Sequence, residues 1–330
     1  MSEIDTDKLN EIWTNGWKNV DYSKCTTMTQ VFEHLRNSYL ESSQSVNESE
    51  KAELINRLDS FIDRWNVDHQ ENDPELCERC QSWAYAAQYC EHCIRHFFKK
   101  NFGKWTSGND EIDKIIQDAQ LNASCPDMVV EWIPFSDFEE VKHKIKGHRS
   151  DIYSATWSKG PFDKFNPETH AVDRFGRTNV ILKKLENSDK MDGEWFKVIT
   201  EFKLHKLSIF ATAFYGITKD PMTQEYMIVL KQYDYNLHEY ISLKHSKFSW
   251  YEKIYRANSV LSKIEGVNAS SWVHKNLQPG NVHGNLHPGN VLYEKKTDQF
   301  LIADLGLYQH AEDYYESLPF IAPENFGCDE

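Results

Sequence analysis

No run of 18 apolar residues occurs anywhere in the 330-residue chain, which leaves no ordinary candidate for a hydrophobic membrane-spanning helix. The opening residues MSEIDTDKLNE are acidic and lack the basic start and apolar run of a secretory leader. Positive charge is short as well. Lys and Arg total 37 against 51 Asp and Glu, a formal net charge of -14, so binding to nucleic acid or to an anionic membrane through bulk charge is not expected. Cysteine is sparse, with seven residues, but four of them cluster, which in a reducing compartment points to metal rather than disulfides. Hydrophobic content of 40% with 27% charge is ordinary for a globular chain. The expectation is a soluble, cytoplasmic protein of two or three units.

The clustered cysteines are Cys77-x2-Cys80 and Cys90-x2-Cys93, separated by the nine residues Gln81 to Tyr89. Zn²⁺ takes four tetrahedral ligands, and each Cys-x2-Cys knuckle can present two thiolates to one ion. His92 and His96 lie close by as substitute ligands, though two complete knuckles need neither. Zn²⁺ here is expected to staple a segment too small to fold alone. Flanks of mixed charge speak against a nucleic-acid knuckle.

Ahead of the cysteines, residues 1–70 read as helical. Leu9, Ile12, Trp13 and Trp17 fall at helical spacing, as do Met28, Val31, Phe32 and Leu35, and then Leu54, Ile55, Leu58, Phe61, Ile62 and Trp65. The polar stretch Glu41 to Ser49 reads as a linker. After the cysteines, Asn109 before Asp110 and Glu111 marks the start of a helix carrying Ile112, Ile115, Ile116 and Ala119.

The most informative stretch lies further on. VHKNLQPGN (Val273 to Asn281) is followed at once by a near-copy, VHGNLHPGN (Val282 to Asn290), then by VLYEKKTDQFLIADLG. The spacing of His283, Asn285 and Asn290 resembles the protein-kinase catalytic loop, where a His-Arg-Asp triplet is followed five residues later by a metal-binding Asn. Asp304-Leu305-Gly306 resembles the Asp-Phe-Gly triplet of the same family. Together with the cysteine pairs and Trp105-Thr-Ser-Gly-Asn109, these motifs make residues 77–330 resemble an expanded fungal protein-kinase family.

The resemblance implies a kinase domain starting near Glu131. Val180 to Lys183 resembles the strand ending in the phosphate-binding Lys, and Glu201 occupies the position of its helix partner. Leu230 would back the nucleotide pocket, and Lys231-Gln232-Tyr233 would form the hinge that meets adenine. Asn290 and Asp304 would hold Mg²⁺. Pro319 to Glu324 resembles the end of the activation segment. Of the phosphate loop's three glycine positions, Ile145, Gly147 and Ser150, one keeps glycine, which weakens close approach to phosphates. Asn285 stands where the family has its catalytic Asp, and an amide cannot accept the substrate's proton as a carboxylate does. The second copy of the repeat is expected in the site, with Asn276 of the first bulging outward.

The expected architecture is α+β, a bilobal protein-kinase-like fold with an incomplete C-lobe, preceded by helices and a small four-cysteine zinc knuckle. Its divisions are a helical region over 1–70, the knuckle and a connecting helix over 71–125, and a kinase-like domain over 131–330, with an N-lobe at 131–231 and a partial C-lobe at 232–330. The family's C-terminal lobe is expected to run on beyond Glu330, so a fragment, a truncated product and a degenerate copy all stay open. The functional expectation is a catalytically impaired, ATP- and Mg²⁺-binding scaffold with protein partners and neither nucleic acid nor membrane. An active protein kinase and a zinc-knuckle interaction protein with a relic kinase portion remain as alternatives.

Overall fold

The computed structural model describes residues 6–41, 46–146, 151–166, 168–185, 188, 212–244, 248–269 and 288–303. The apolar spacings of the first seventy residues become helices α1 (Thr6–Lys18), α2 (Met28–Glu41) and α3 (Glu48–His69). α3 starts six residues ahead of its apolar stripe because a capping box closes its N-terminus: Glu50 N donates to Asn47 Oδ1 and Asn47 N to Glu50 Oε2, both at 2.9 Å. Leu9, Leu35, Leu54 and Leu58 are fully buried at the centre, ringed by Trp13, Trp17, Phe61 and Trp65. Leu58→Ala should lower stability by about 2–5 kcal/mol, because the cavity adds to the lost transfer energy. The variant's urea transition should move to lower denaturant with an unchanged slope.

Two short strands, β1 (Glu75–Leu76) and β2 (Trp83–Ala84), pair antiparallel and lead into α4 (Glu91–Asn101) and α5 (Asp110–Leu121). α5 begins where its cap signal places it, with Asn109 Oδ1 accepting from Glu111 N at 2.9 Å and Ile112 N at 3.3 Å.

A six-stranded sheet follows. Its strands are β3 (Glu131–Trp132), β4 (Phe138–Lys146), β5 (Asp151–Trp157), β8 (Thr178–Lys184), β9 (Phe214–Lys219) and β10 (Tyr226–Lys231), in the order β3-β9-β10-β8-β5-β4. All neighbours are antiparallel except β3 and β9. The period of two sorts the side chains onto two faces. Val180, Leu182, Met227 and Val229 pack with Trp157 and Ile133 on one. Ile228, Leu230 and Ile217 pack on the other, against Ile112, Ile116 and Ala119 of α5. At Gly216 a Cβ would sit 2.0 Å from the Glu131 carbonyl oxygen, so only glycine lets β3 lie alongside β9.

Between β5 and β8 the sequence reads as a polar insertion over 159–177, and here the structure differs. β6 (Phe162–Asn166) and β7 (Ala171–Arg174) form a hairpin whose Phe162, Phe165 and Val172 pack on Ile94 and Phe98 of α4. A bulge between Phe162 and Lys164 brings phenylalanines three apart to one side, which hides them from a search for strict alternation. Arg174 closes the hairpin onto the sheet. Its Nη1 and Nη2 donate to the two carboxylate oxygens of Glu131 at 3.1 and 2.6 Å, and its guanidinium lies 3.9 Å over the Phe162 ring.

The last described part is a three-stranded antiparallel sheet, β11 (Tyr235–Asn236), β12 (Val291–Glu294) and β13 (Gln299–Ile302), with α6 (Leu237–Lys244) and α7 (Trp250–Ala269). Tyr240, Tyr293, Phe300 and Ile302 form its core against Val260 and Ile264 of α7. Three ties join the two sheets. Lys231 pairs with Glu294, Thr212 N donates to Ile302 O at 3.1 Å, and Asp234 N donates to Tyr293 O at 3.1 Å. Among the described residues, no helix is long and apolar enough to cross a membrane.

Candidate functional site

The four cysteines of the two knuckles come together. Cys77 follows β1 in a turn closed by Gln81 N donating to Cys77 O at 2.9 Å, with Gln81 in the left-handed region at φ 56°. Cys90 caps α4 and Cys93 sits in its first turn, so both sulfurs lie at the positive end of a helix dipole, which favours thiolate. The four Sγ atoms lie within 4.8 Å of one another, with Cys80 to Cys90 at 3.5 Å and Cys77 to Cys93 at 3.8 Å. A tetrahedron with Zn–S bonds of about 2.3 Å has S–S edges of about 3.8 Å, so the quartet fits one ion such as zinc.

The surroundings set the charge state of the quartet. Burial pushes the Cys90 thiol up to about 12 and raises Cys93 as well, while Cys77 is drawn down to about 7, first by the Cys80 main-chain N–H. Left alone, the buried pair stays protonated. A bound cation reverses that balance and takes the thiolates as ligands. Phe165 of the β6–β7 hairpin packs with Ala84 against Cys77, Cys90 and Cys93, while Cys80 stays exposed. The knuckle spacing found the ligands, but nothing in it pointed to the hairpin as their lid.

The other site residues expected from the sequence fall on the two sheets. Lys183 is on β8, the third long strand of the larger sheet, opposite Ile152 of β5 and Ile228 of β10, and is 4% exposed. Leu230 lies on the same face one strand across, buried against α5. Gln232 follows β10, half-buried, and no hydrogen bond among the described residues engages its main chain. Next to it, the Tyr233 hydroxyl accepts from Ala213 N at 3.1 Å, holding the connection between the sheets against β9.

Asn290 is buried in the 3-10 turn Pro288–Asn290 just before β12. The β12–β13 register pairs Val291 with Ile302, and Ala303 N donates to Asn290 O at 2.7 Å. Asn290 thus lies across the ladder from the residue that precedes Asp304 in sequence. Gly147, Glu201, Asn285 and Asp304 lie outside the described residues, as do Asn276 and the rest of the first repeat copy.

Two buried carboxylates escaped the sequence reading. Asp63 of α3 and Glu91 of α4 are 2% and 3% exposed, and both accept hydrogen bonds from the main chain between the knuckles. Acidic residues are so common in this chain that neither stands out by type or spacing. No protein-family model matches the chain, and no curated protein matches it.

Proposed function

We propose that this chain is a protein-kinase-like protein that binds Mg-ATP weakly, is impaired in phosphoryl transfer and acts as a signalling scaffold. In this reading residues 131–231 are the N-lobe, 232–330 belong to the C-lobe, and the four-cysteine centre staples the N-terminal extension to them. The observation that carries it is the pairing of Asn290 with Ala303, because one proposed Mg²⁺ ligand then lies across the ladder from the residue that precedes the other, Asp304, in sequence.

Lys183 supports it from the other sheet. Kinases carry their phosphate-binding Lys on the third strand, after the strand pair whose connection covers the phosphates. Here β4 and β5 form that pair and Lys183 sits on β8, buried where an ammonium meets an anion more readily than water. The unengaged main chain of Gln232 offers a donor and an acceptor to a planar base. Mg²⁺, when bound, would neutralise charge on the phosphates. Asn285 supplies no carboxylate for the acceptor hydroxyl, so a bound nucleotide would serve structure or regulation more than transfer.

A thermal-shift titration tests the reading. Mg-ATP should raise the melting temperature, and Asp304→Ala and Lys183→Met should each abolish the rise. Stabilisation of both variants equal to that of the wild type would place any nucleotide elsewhere and end the proposal.

A further inference from the structure

The spacer between the knuckles has few partners of its own. Beyond the two-residue strand β2 its main-chain donors must be met from elsewhere, and two acidic side chains meet them. Glu91 Oε1 accepts from Tyr85 N at 3.3 Å. Asp63 takes two further donors, with Ala87 N at 2.7 Å on Oδ1 and Gln88 N at 3.1 Å on Oδ2. Gln88 lies two residues before the ligand Cys90, while Asp63 belongs to α3 of the N-terminal helical bundle.

This placement is costly unless it does something. Asp is a poor residue for a helix interior, and a buried carboxylate loses its hydration. Burial raises its carboxyl, and the hydrogen bonds from Ala87 and Gln88 pull it back toward the charged form. One turn of α3 also carries Arg64, which pairs with Asp127 at 2.7 Å beyond α5. The helix is thus fixed on both sides of the knuckle segment, with Asp63 aimed at the loop that delivers Cys90 and Cys93.

We infer that Asp63 is a positioning residue for the four-cysteine centre, through which metal occupancy and the docking of the N-terminal helices are coupled. The inference rests on the metal reading of the quartet. Asp63 touches no ligand atom. It fixes the main chain that leads into the second knuckle, as outer-shell carboxylates fix metal ligands elsewhere. Because coupling free energy is reciprocal, metal binding must hold α3 against the loop as much as α3 tightens the metal.

Zinc affinity of the full-length protein, measured by competition with a chromophoric chelator, tests this. Asp63→Asn keeps the shape but replaces one acceptor oxygen with an amide that confronts an N–H. It should weaken zinc about 10–100-fold. Cobalt loaded at saturating concentration should give the same four-thiolate absorption in variant and wild type, showing the ligand set intact. Val31→Ala, in the bundle but away from the loop, should leave zinc affinity at the wild-type value. In hydrogen exchange, metal loading should slow the amides of α3 in the wild type and not in Asp63→Asn. An Asp63→Asn affinity within twofold of wild type, or equal losses in Asp63→Asn and Val31→Ala, would overturn the positioning role while leaving the metal centre standing. No zinc or cobalt bound by the wild type would overturn both.

Discussion

Protein purified under reducing conditions should carry about one zinc per chain, and stripping it should unfold residues 75–90. The expected effect is large because the segment ahead of α4 has little else. β1 and β2 are two residues each, and the buried cluster at the knuckles consists of Ala84, Cys90 and Cys93, with Cys77 and Phe165 packed against them. Structural zinc in comparable small units binds with an apparent energy of roughly 10–16 kcal/mol at neutral pH, well beyond what such a segment gains by packing. A chelator should therefore expose the two knuckles and their spacer to protease while α2 and β10 stay protected. Metal analysis that finds no zinc in reduced protein, or a chelated protein with unchanged protease resistance, would remove the metal from the account.

The second large effect is expected at Arg174. Arg174→Ala removes both hydrogen bonds to Glu131 and strands a carboxylate beneath the hairpin. Breaking a buried pair from one side costs about 3–5 kcal/mol, and the lower end applies here because the Arg174 side chain keeps 28% of its surface. The loss should depend on pH in a definite direction. Burial already pushes the Glu131 carboxyl up to about 7 against the pull of Arg174, and removing the guanidinium pushes it higher. A raised folded-state value means the folded protein holds a proton that the unfolded chain releases, so stability falls as pH rises above the ordinary carboxyl range. The deficit of Arg174→Ala should thus be small near pH 5 and grow as pH rises through about 7 in urea unfolding. Replacing both partners with Met and Leu should recover most of it. A deficit flat across that range would show that lost packing on Phe162, not a stranded charge, is what the variant feels.

The sequence made some of this legible and hid the rest for identifiable reasons. The strand at 151–157 was readable because Tyr153, Ala155 and Trp157 alternate along it, and the hairpin of β9 and β10 because a Pro-containing turn separates two apolar runs. The strand at 138–146 carries two bulges and leaves a weaker trace. Cys77, Cys80, Cys90 and Cys93 were readable because metal geometry fixes spacing within each knuckle. Phe162 and Phe165 were not, since a bulge breaks the period that would mark them. Asp63 was invisible for a different reason. Its role comes from two main-chain donors more than twenty residues away, and no local pattern encodes such a contact.

The strand order of the larger sheet becomes a matter of time during synthesis. α5 buries Ile112 and Ile116 against Phe214, Ile228 and Leu230, and β3 pairs with Gly216 and Ile217, so β3 waits for residue 217 and α5 for residue 230. At roughly 5–20 residues per second, the apolar side of α5 waits on the order of 5–20 s with no sheet to cover it. The knuckles and the helices before them are made earlier and pack against the hairpin at 162–174. An ion taken up by the four cysteines during that interval would let a nascent chain present α5 from a settled unit rather than from an unfolded one.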